Sequence, residues 1–253
     1  GLGRDLGVIV RSDAAAALRR ARPHVVLHAT GSRLDRVFPQ LRECMEAGAN
    51  VISTCEELSF PAARRPRLAR QLDRLAWECG VAVLGTGVNP GFAMDFLPVA
   101  LSGACQEVRA IRITRVVDAS LRREPLQRKI GAGMTAAQFN RLAEKGAIGH
   151  VGLRESLRMV AAALGWRLDT IEETIEPVVA QKLTKTAYLS VPAGRVAGAF
   201  AAGMASPPQA PWMVIVSRPR RRNDATTRRR HGGEVGFVKA SWRSSSSTAV
   251  TPW

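Results

Sequence analysis

No stretch of this sequence approaches the roughly 20 consecutive apolar residues that a membrane-spanning helix requires. A CxxC pair is also absent. The four cysteines, Cys44, Cys55, Cys79 and Cys105, stand far apart, and His24, His28, His150 and His231 do not cluster with them. Zinc needs ligands at close, repeated spacing, so no metal site is expected. Reduced thiols in a cytoplasmic protein are the expected state. Aromatics make up 5% of the chain, with a single tyrosine. Basic stretches interleaved with stacking aromatics, the mark of many nucleic-acid readers, are therefore lacking. The N-terminus, Gly1-Leu2-Gly3-Arg4-Asp5, has neither an initiating methionine nor an apolar signal core. It is expected to be an interior start, with a segment upstream.

What is present suits an α/β protein: 253 residues, 22 of them glycine, and ample apolar content for a core. The formal net charge of +16 would ordinarily suggest nucleic acid or an acidic membrane. Its placement weakens that reading. Nine of the 37 basic residues and two of the 21 acidic ones lie after Gly198, and the rest are scattered, as from Arg64 to Arg74.

The first part of the chain alternates strand and helix. Val25-Val26-Leu27-His28-Ala29-Thr30 reads as a buried parallel strand. Ser32 is placed to cap a helix from Leu34 to Ala47 that stops at Gly48. Val51-Ile52-Ser53, a helix from about Ala62 to Glu78, and Val81 to Gly85 complete a β-α-β-α-β order, which demands a parallel sheet with right-handed crossovers. After Asn89-Pro90-Gly91 the pattern changes. A helix is predicted over Met94–Ser102 and a strand with one solvated face over Val108–Val116. Helices follow at Ala136–Lys145 and Leu153–Leu164, and strands within Thr174–Val179 and Ala187–Val191. The fold class is thus α/β, a partial Rossmann-type parallel sheet over 1–92 with an α+β domain over 93–198. From 199 to 253, Pro-Pro, Arg-Arg-Arg and Ser-Ser-Ser-Ser clusters predict a basic, disordered tail in which only Trp212 to Val216 looks strand-like.

Ligands of doubly wound sheets sit beyond the carboxyl ends of the strands, and three such ends are legible. Ala29, Thr30, Gly31 and Ser32 combine small residues with a helix start, which lets a dinucleotide approach the backbone. Thr54, Cys55, Glu56 and Glu57 put two carboxylates past the second strand, either of which is a candidate base toward an amine or a water. Asn89, Pro90 and Gly91 close a rigid turn after the third. Taken singly, the first two read more readily as an ordinary turn and an ordinary helix start, and the third would be unremarkable as a turn between domains. Gly1-Leu2-Gly3-Arg4-Asp5-Leu6-Gly7 is not a nucleotide fingerprint, since its spacing is GxGxxxG and no strand precedes it.

Six blocks in order carry a resemblance: Val-Leu-His-Ala-Thr-Gly-Ser (26–32), Ile-Ser-Thr-Cys-Glu-Glu-Leu-Ser (52–59), Gly-Thr-Gly-Val-Asn-Pro-Gly-Phe (85–92), Arg-Val-Val-Asp-Ala-Ser (115–120), Lys-Ile-Gly-Ala-Gly-Met-Thr (129–135) and Gly-His-Val-Gly-Leu-Arg-Glu-Ser (149–156). Together they resemble the 2,4-diaminopentanoate dehydrogenase family and its amine dehydrogenase relatives, over about Gly1 to Gly198. The resemblance implies a dihydrodipicolinate-reductase-like architecture, NAD or NADP as cofactor, a homodimer or higher homo-oligomer, and oxidative deamination of a small amino substrate. It assigns catalysis to Glu56 or Glu57 without choosing between them. Arg122, Arg123, Arg128 and Lys129 are candidates for gripping a substrate carboxylate, with a solvated loop as the plain alternative.

The chain departs from the family in three ways. It begins downstream of the expected glycine-rich turn. The Arg- and Ser-rich tail stands where a closing strand and helix are expected, as an out-of-frame reading would produce. The histidine pair and lysine motif of true dihydrodipicolinate reductases are absent, which ranks imine reduction second. An inactive fragment and nucleic-acid binding through the tail are the readings of another class.

Overall fold

The computed structural model describes residues 7–149, 151–206, 212–219 and 237–241. The Gly1–Leu6 motif, His150, and the Arg220–Arg222, Arg228–Arg230 and Ser244–Ser247 clusters lie outside the described residues. The chain divides into two compact units, Gly1–Gly87 and Val88–Trp253.

In the first unit α1 (Ala14–Ala21) leads into β1 (Val25–His28), α2 (Leu34–Glu46), β2 (Asn50–Ser53), α3 (Pro66–Cys79) and β3 (Val83–Gly85). The strands form a parallel sheet in the order β1-β2-β3, with His28, Ser53 and Gly85 in register at its carboxyl edge. The periodicity of α2 explains its placement. Leu34, Val37, Leu41, Cys44 and Met45 recur at helical spacing and bury one stripe. That stripe meets Val51, Leu58 and Leu72, with Val26 and Val83 packed alongside. Burying such aliphatic side chains contributes about 1.5–3 kcal/mol each. Helix α3 ends at Gly80, whose φ of 66° closes a left-handed cap. The expectation that β1 is buried on both faces is corrected: Val25 is 46% and Leu27 79% exposed. The helices cover the Val26 face, and nothing among the described residues covers the other.

The second unit runs through α4 (Phe96–Ser102), β4 (Ala110–Val117), α5 (Glu124–Lys129), α6 (Ala136–Glu144), α7 (Leu153–Ala163), β5 (Thr170–Val179), β6 (Thr184–Lys185), β7 (Ser190–Val191), β8 (Val196–Ser206), β9 (Trp212–Pro219) and β10 (Phe237–Ser241). Its main sheet has the order β10-β4-β9-β8-β5, with β4 and β9 parallel and every other pairing antiparallel. Ile111 and Ile113 point to the same face as Ala201 and Ala205, under Leu153, Leu157 and Val160 of α7. Small residues in β8 let α7 lie close, since a Cβ at Gly203 would stand 3.0 Å from Leu157. The expectation of disorder from 199 onward is corrected for 199–206, 212–219 and 237–241, the part of the tail within the described residues. Strand β8 runs on to Ser206, and β9 and β10 are sheet members. The Arg-, Pro- and Ser-rich average of the tail hides the end of β8, because its buried positions after 198 are Ala201, Gly203 and Ala205 rather than bulky residues, whereas Trp212 to Val216 of β9 was legible as a strand.

Candidate active site

The carboxyl edge of the parallel sheet in the first unit collects two of the three predicted loop ends. Thr54 N–H donates to the His28 carbonyl at 3.0 Å and Thr86 N–H to the Ser53 carbonyl at 2.9 Å, which locks the strand ends side by side. Ala29 and Thr30 leave β1 exposed, while Gly31 and Ser32 are half-buried. Thr54 is exposed, Cys55 is buried, and Glu56 begins a 3-10 turn over Glu56–Ser59.

This turn separates the two carboxylates that sequence alone left equivalent. Glu57 is 2% exposed. Its Oε2 accepts the Leu34 N–H at 2.9 Å, and its own N–H donates to the Ser32 carbonyl at 3.2 Å. Arg64 and Arg65 lie 3.9 and 3.7 Å from its carboxylate. A helix start leaves N–H donors unsatisfied and carries partial positive charge. Glu57 therefore caps α2 from 23 residues away. This corrects the expected role of Ser32: the residue at the cap position of α2 is Arg33, with no side-chain cap bond. Glu56 is half-buried on the same turn.

The turn can sit against β3 only because residue 85 is glycine. A Cβ there would stand 2.2 Å from the Leu58 carbonyl oxygen and 2.8 Å from the Ser59 nitrogen. The Cys55 thiol, buried behind the turn, is pushed up to about 11, with burial the largest cause and hydrogen bonds from the Leu58 and Glu57 backbones opposing it. It is a packing thiol rather than a nucleophile.

Asn89, Pro90 and Gly91 belong to the second unit. Asp95, fully buried, holds this turn: its carboxylate accepts Gly91 N–H at 2.8 Å, Phe96 N–H at 2.6 Å and the Ser156 hydroxyl at 2.7 Å. Pro90 packs on Gly152, whose φ of 114° and whose Cβ position 2.5 Å from the Pro90 ring both exclude a side chain. Both polar atoms of the Asn89 amide are shielded from solvent without a hydrogen-bond partner among the described residues. Such a group is costly to leave unsatisfied.

The substrate candidates lie at and before α5. Arg122 is half-buried and Arg123, Arg128 and Lys129 are exposed. Arg128 is engaged by Glu124 one turn earlier, at 2.6 and 2.8 Å. The turn before α5 is organised by a residue not anticipated from sequence. Gln127, 2% exposed, donates to the Ser120 and Arg122 carbonyls and accepts the Thr186 hydroxyl. Also unanticipated were Gln40, Ser53 and Asp95, whose partners are set by chain crossings that no local motif records. No group of three His, Cys, Asp or Glu placed to hold a metal occurs among the described residues, and no helix there is long and apolar enough to cross a membrane.

Residues 92–221 match the model of the 2,4-diaminopentanoate dehydrogenase C-terminal domain. The chain belongs to this family. It is 42% identical over 176 residues to the 2,4-diaminopentanoate dehydrogenase of Acetoanaerobium sticklandii, covering 69% of this chain and 50% of that protein. To an amine dehydrogenase of Streptomyces virginiae it is 30% identical over 182 residues, covering 68% and 49%. The chain thus spans about half the length of the curated relatives it matches. The solved structure of an amine dehydrogenase from Mycobacterium smegmatis superposes with a TM-score of 0.78 at 24% identity, over 95% of this chain and 72% of that one. That likeness establishes the α/β fold. The family match also runs past Gly198, where the resemblance was expected to end, and takes in β8 and β9.

Proposed function

We propose that the protein is an NAD(P)-dependent oxidoreductase that deaminates a small amino compound, with 2,4-diaminopentanoate as substrate. Family membership supports the reaction class. The observation that supports a site is the division of labour on the 56–59 turn, where Glu57 is committed to capping α2 and Glu56 stands beside it at the sheet's carboxyl edge.

The residues present fit a nicotinamide cofactor. Asn89 offers a buried donor and a buried acceptor without partners among the described residues, the complement of a carboxamide. In the first unit Ala29, Thr30, Gly31 and Ser32 give backbone approach at a helix start, with Thr54 and Cys55 alongside; in the second, Pro90 and Gly91 fix the Asn89 turn. When bound, the cofactor supplies the acceptor for a hydride. The C–H bond of the amine-bearing carbon breaks with its electron pair leaving as hydride, and the nitrogen lone pair forms the C=N bond. Water then adds to that carbon and ammonia leaves, giving 2-amino-4-oxopentanoate. Glu56 takes a proton from the amine and releases it to solvent, then takes one from the attacking water and returns it to the departing nitrogen, which a carboxylate within hydrogen-bond reach performs well. Arg122, Arg123, Arg128 and Lys129 are the candidates to hold the substrate carboxylate, with Arg128 also engaged by Glu124.

The test is to incubate the purified protein with 2,4-diaminopentanoate and NAD⁺ or NADP⁺ and follow reduced cofactor and ammonia together. Equimolar appearance of both supports the reading. Turnover of dihydrodipicolinate without turnover of the diamine overturns it in favour of imine reduction.

A further inference from the structure

The first unit holds a polar cluster centred on His28, to which the proposed chemistry gives no role. His28, at the end of β1, is 6% exposed, and Ser53, beside it on β2, is fully buried. The His28 Nδ1 lies 2.8 Å from Ser53 Oγ. Its Nε2 lies 2.9 Å from Gln40 Oε1 on α2 and 2.8 Å from Thr30 Oγ1. The Thr30 hydroxyl also donates to Gln40 Oε1. On the far side, Cys55 N–H donates to Ser53 Oγ at 3.1 Å.

The directions of these bonds follow from what each group can do. An amide oxygen only accepts, so the nitrogen facing Gln40 carries the hydrogen. In a neutral imidazole the other nitrogen is then an acceptor, and the Ser53 hydroxyl fills it. Ser53 Oγ remains free to accept from Cys55. Thr30 accepts from His28 and passes its own proton to Gln40. Each donor in the cluster has an acceptor, and the two strand ends become one hydrogen-bonded unit.

We propose that His28, as its neutral Nε2–H tautomer, is a positioning residue that ties the Thr30 hydroxyl on the rim to the Ser53–Cys55 turn leading into Glu56. The inference rests on the reading that Thr30 and Glu56 face cofactor and amine. His28 touches neither. It sets both through Thr30 on one side and Ser53 on the other, so a disturbance of one strand end reaches the other.

The tautomer is read directly by ¹⁵N NMR of histidine-labelled protein. A protonated Nε2 and unprotonated Nδ1 are expected, and the reverse assignment overturns the proposal without any need for a variant. Function is read by comparing His28→Gln, which keeps a donor toward Thr30 and Gln40, with His28→Phe, which keeps none. Loss of one such bond corresponds to about tenfold in an equilibrium. NAD(P)H affinity is expected to fall about tenfold in His28→Phe and to recover in His28→Gln, while exchange of the Cys55 amide accelerates in both. Equal losses of thermal stability in the two variants, with affinity and Cys55 exchange unchanged, would reduce His28 to a packing residue and overturn the proposal. Failure of the wild-type protein to bind NAD(P)H, with the tautomer as expected, overturns the dehydrogenase reading and the functional half of this inference with it.

Discussion

Replacing Glu57 and Glu56 in turn separates scaffold from chemistry. Glu57→Ala removes a charged acceptor from the Leu34 N–H, and hydrogen bonds to charged groups contribute about 1.5–3 kcal/mol. It also removes a negative charge from the start of α2, worth up to about 2 kcal/mol when partly buried, and leaves Arg65 with Asp35 at 2.8 Å as its remaining close ion pair among those described. The two contributions overlap, so a net loss of about 2–4 kcal/mol is expected, on the order of 5–10 °C in Tm for a chain of this size. Glu57→Gln keeps an acceptor oxygen and should lose about half as much. Glu56→Ala, at a half-buried position, should stay within about 0.5 kcal/mol of wild type yet lower kcat by about 100-fold or more. Chemical denaturation and differential scanning fluorimetry measure the first quantity, and steady-state turnover the second. A Glu56→Ala protein destabilised as much as Glu57→Ala would refute the assignment. So would a Glu57→Gln protein that keeps its Tm and loses turnover while Glu56→Gln remains active.

Three further outcomes are expected. Gly85→Ala places a Cβ 2.2 Å from the Leu58 carbonyl, so the 56–59 turn must move. The variant should lose Glu56-dependent activity and about 1–3 kcal/mol of stability, and a wild-type Tm and rate would contradict the close approach. Asp95→Asn weakens the acceptor shared by Gly91, Phe96 and Ser156. About 2–4 kcal/mol should be lost, with hydrogen exchange at Gly91 faster than in wild type, and unchanged exchange there would show that the Asn89 turn is held by other means. The Cys55 thiol is raised from 9.0 to about 11 by burial, so the folded chain retains a proton that the unfolded chain has lost. Stability contributed by this group is complete below about pH 9 and declines as pH rises toward 11, by no more than about 2–3 kcal/mol. Alkylation should therefore label half-buried Cys79 and Cys105 well before Cys55, and comparable rates at all sites would count against its burial.

The elements of the first unit were readable because their apolar residues recur at the spacing the fold needs: Leu34, Val37, Leu41 and Met45 on α2, and a valine or isoleucine in each short strand. The cap of α2 was not readable. Its acceptor comes from Glu57 rather than from neighbouring Ser32, and local propensity cannot register a partner 23 residues away. The openness of Leu27 was missed for a related reason, since a short apolar run has the same appearance whether one face or both are covered. In the second unit, β8 escaped notice because close packing under α7 selects Ala201, Gly203 and Ala205, the residues least conspicuous as core. Of the candidate site, the rim residues of β1 and β2 came together as spacing suggested. The Asn89 turn fell into the other unit, because a glycine-rich strand end and the start of a new unit share one composition.

The middle of the larger sheet is assembled out of sequence order. Both neighbours of β4 come from beyond residue 211, with Ile113 beside Ile215 on one side and Ala240 on the other. During synthesis, therefore, about a hundred residues must follow β4 before its backbone has a strand to bond with. Until then Ile111 and Ile113 have side-chain packing from Met94, α7 and β8 but no strand beside them, and the unit belongs among topologies whose closure is slow because distant segments must meet first.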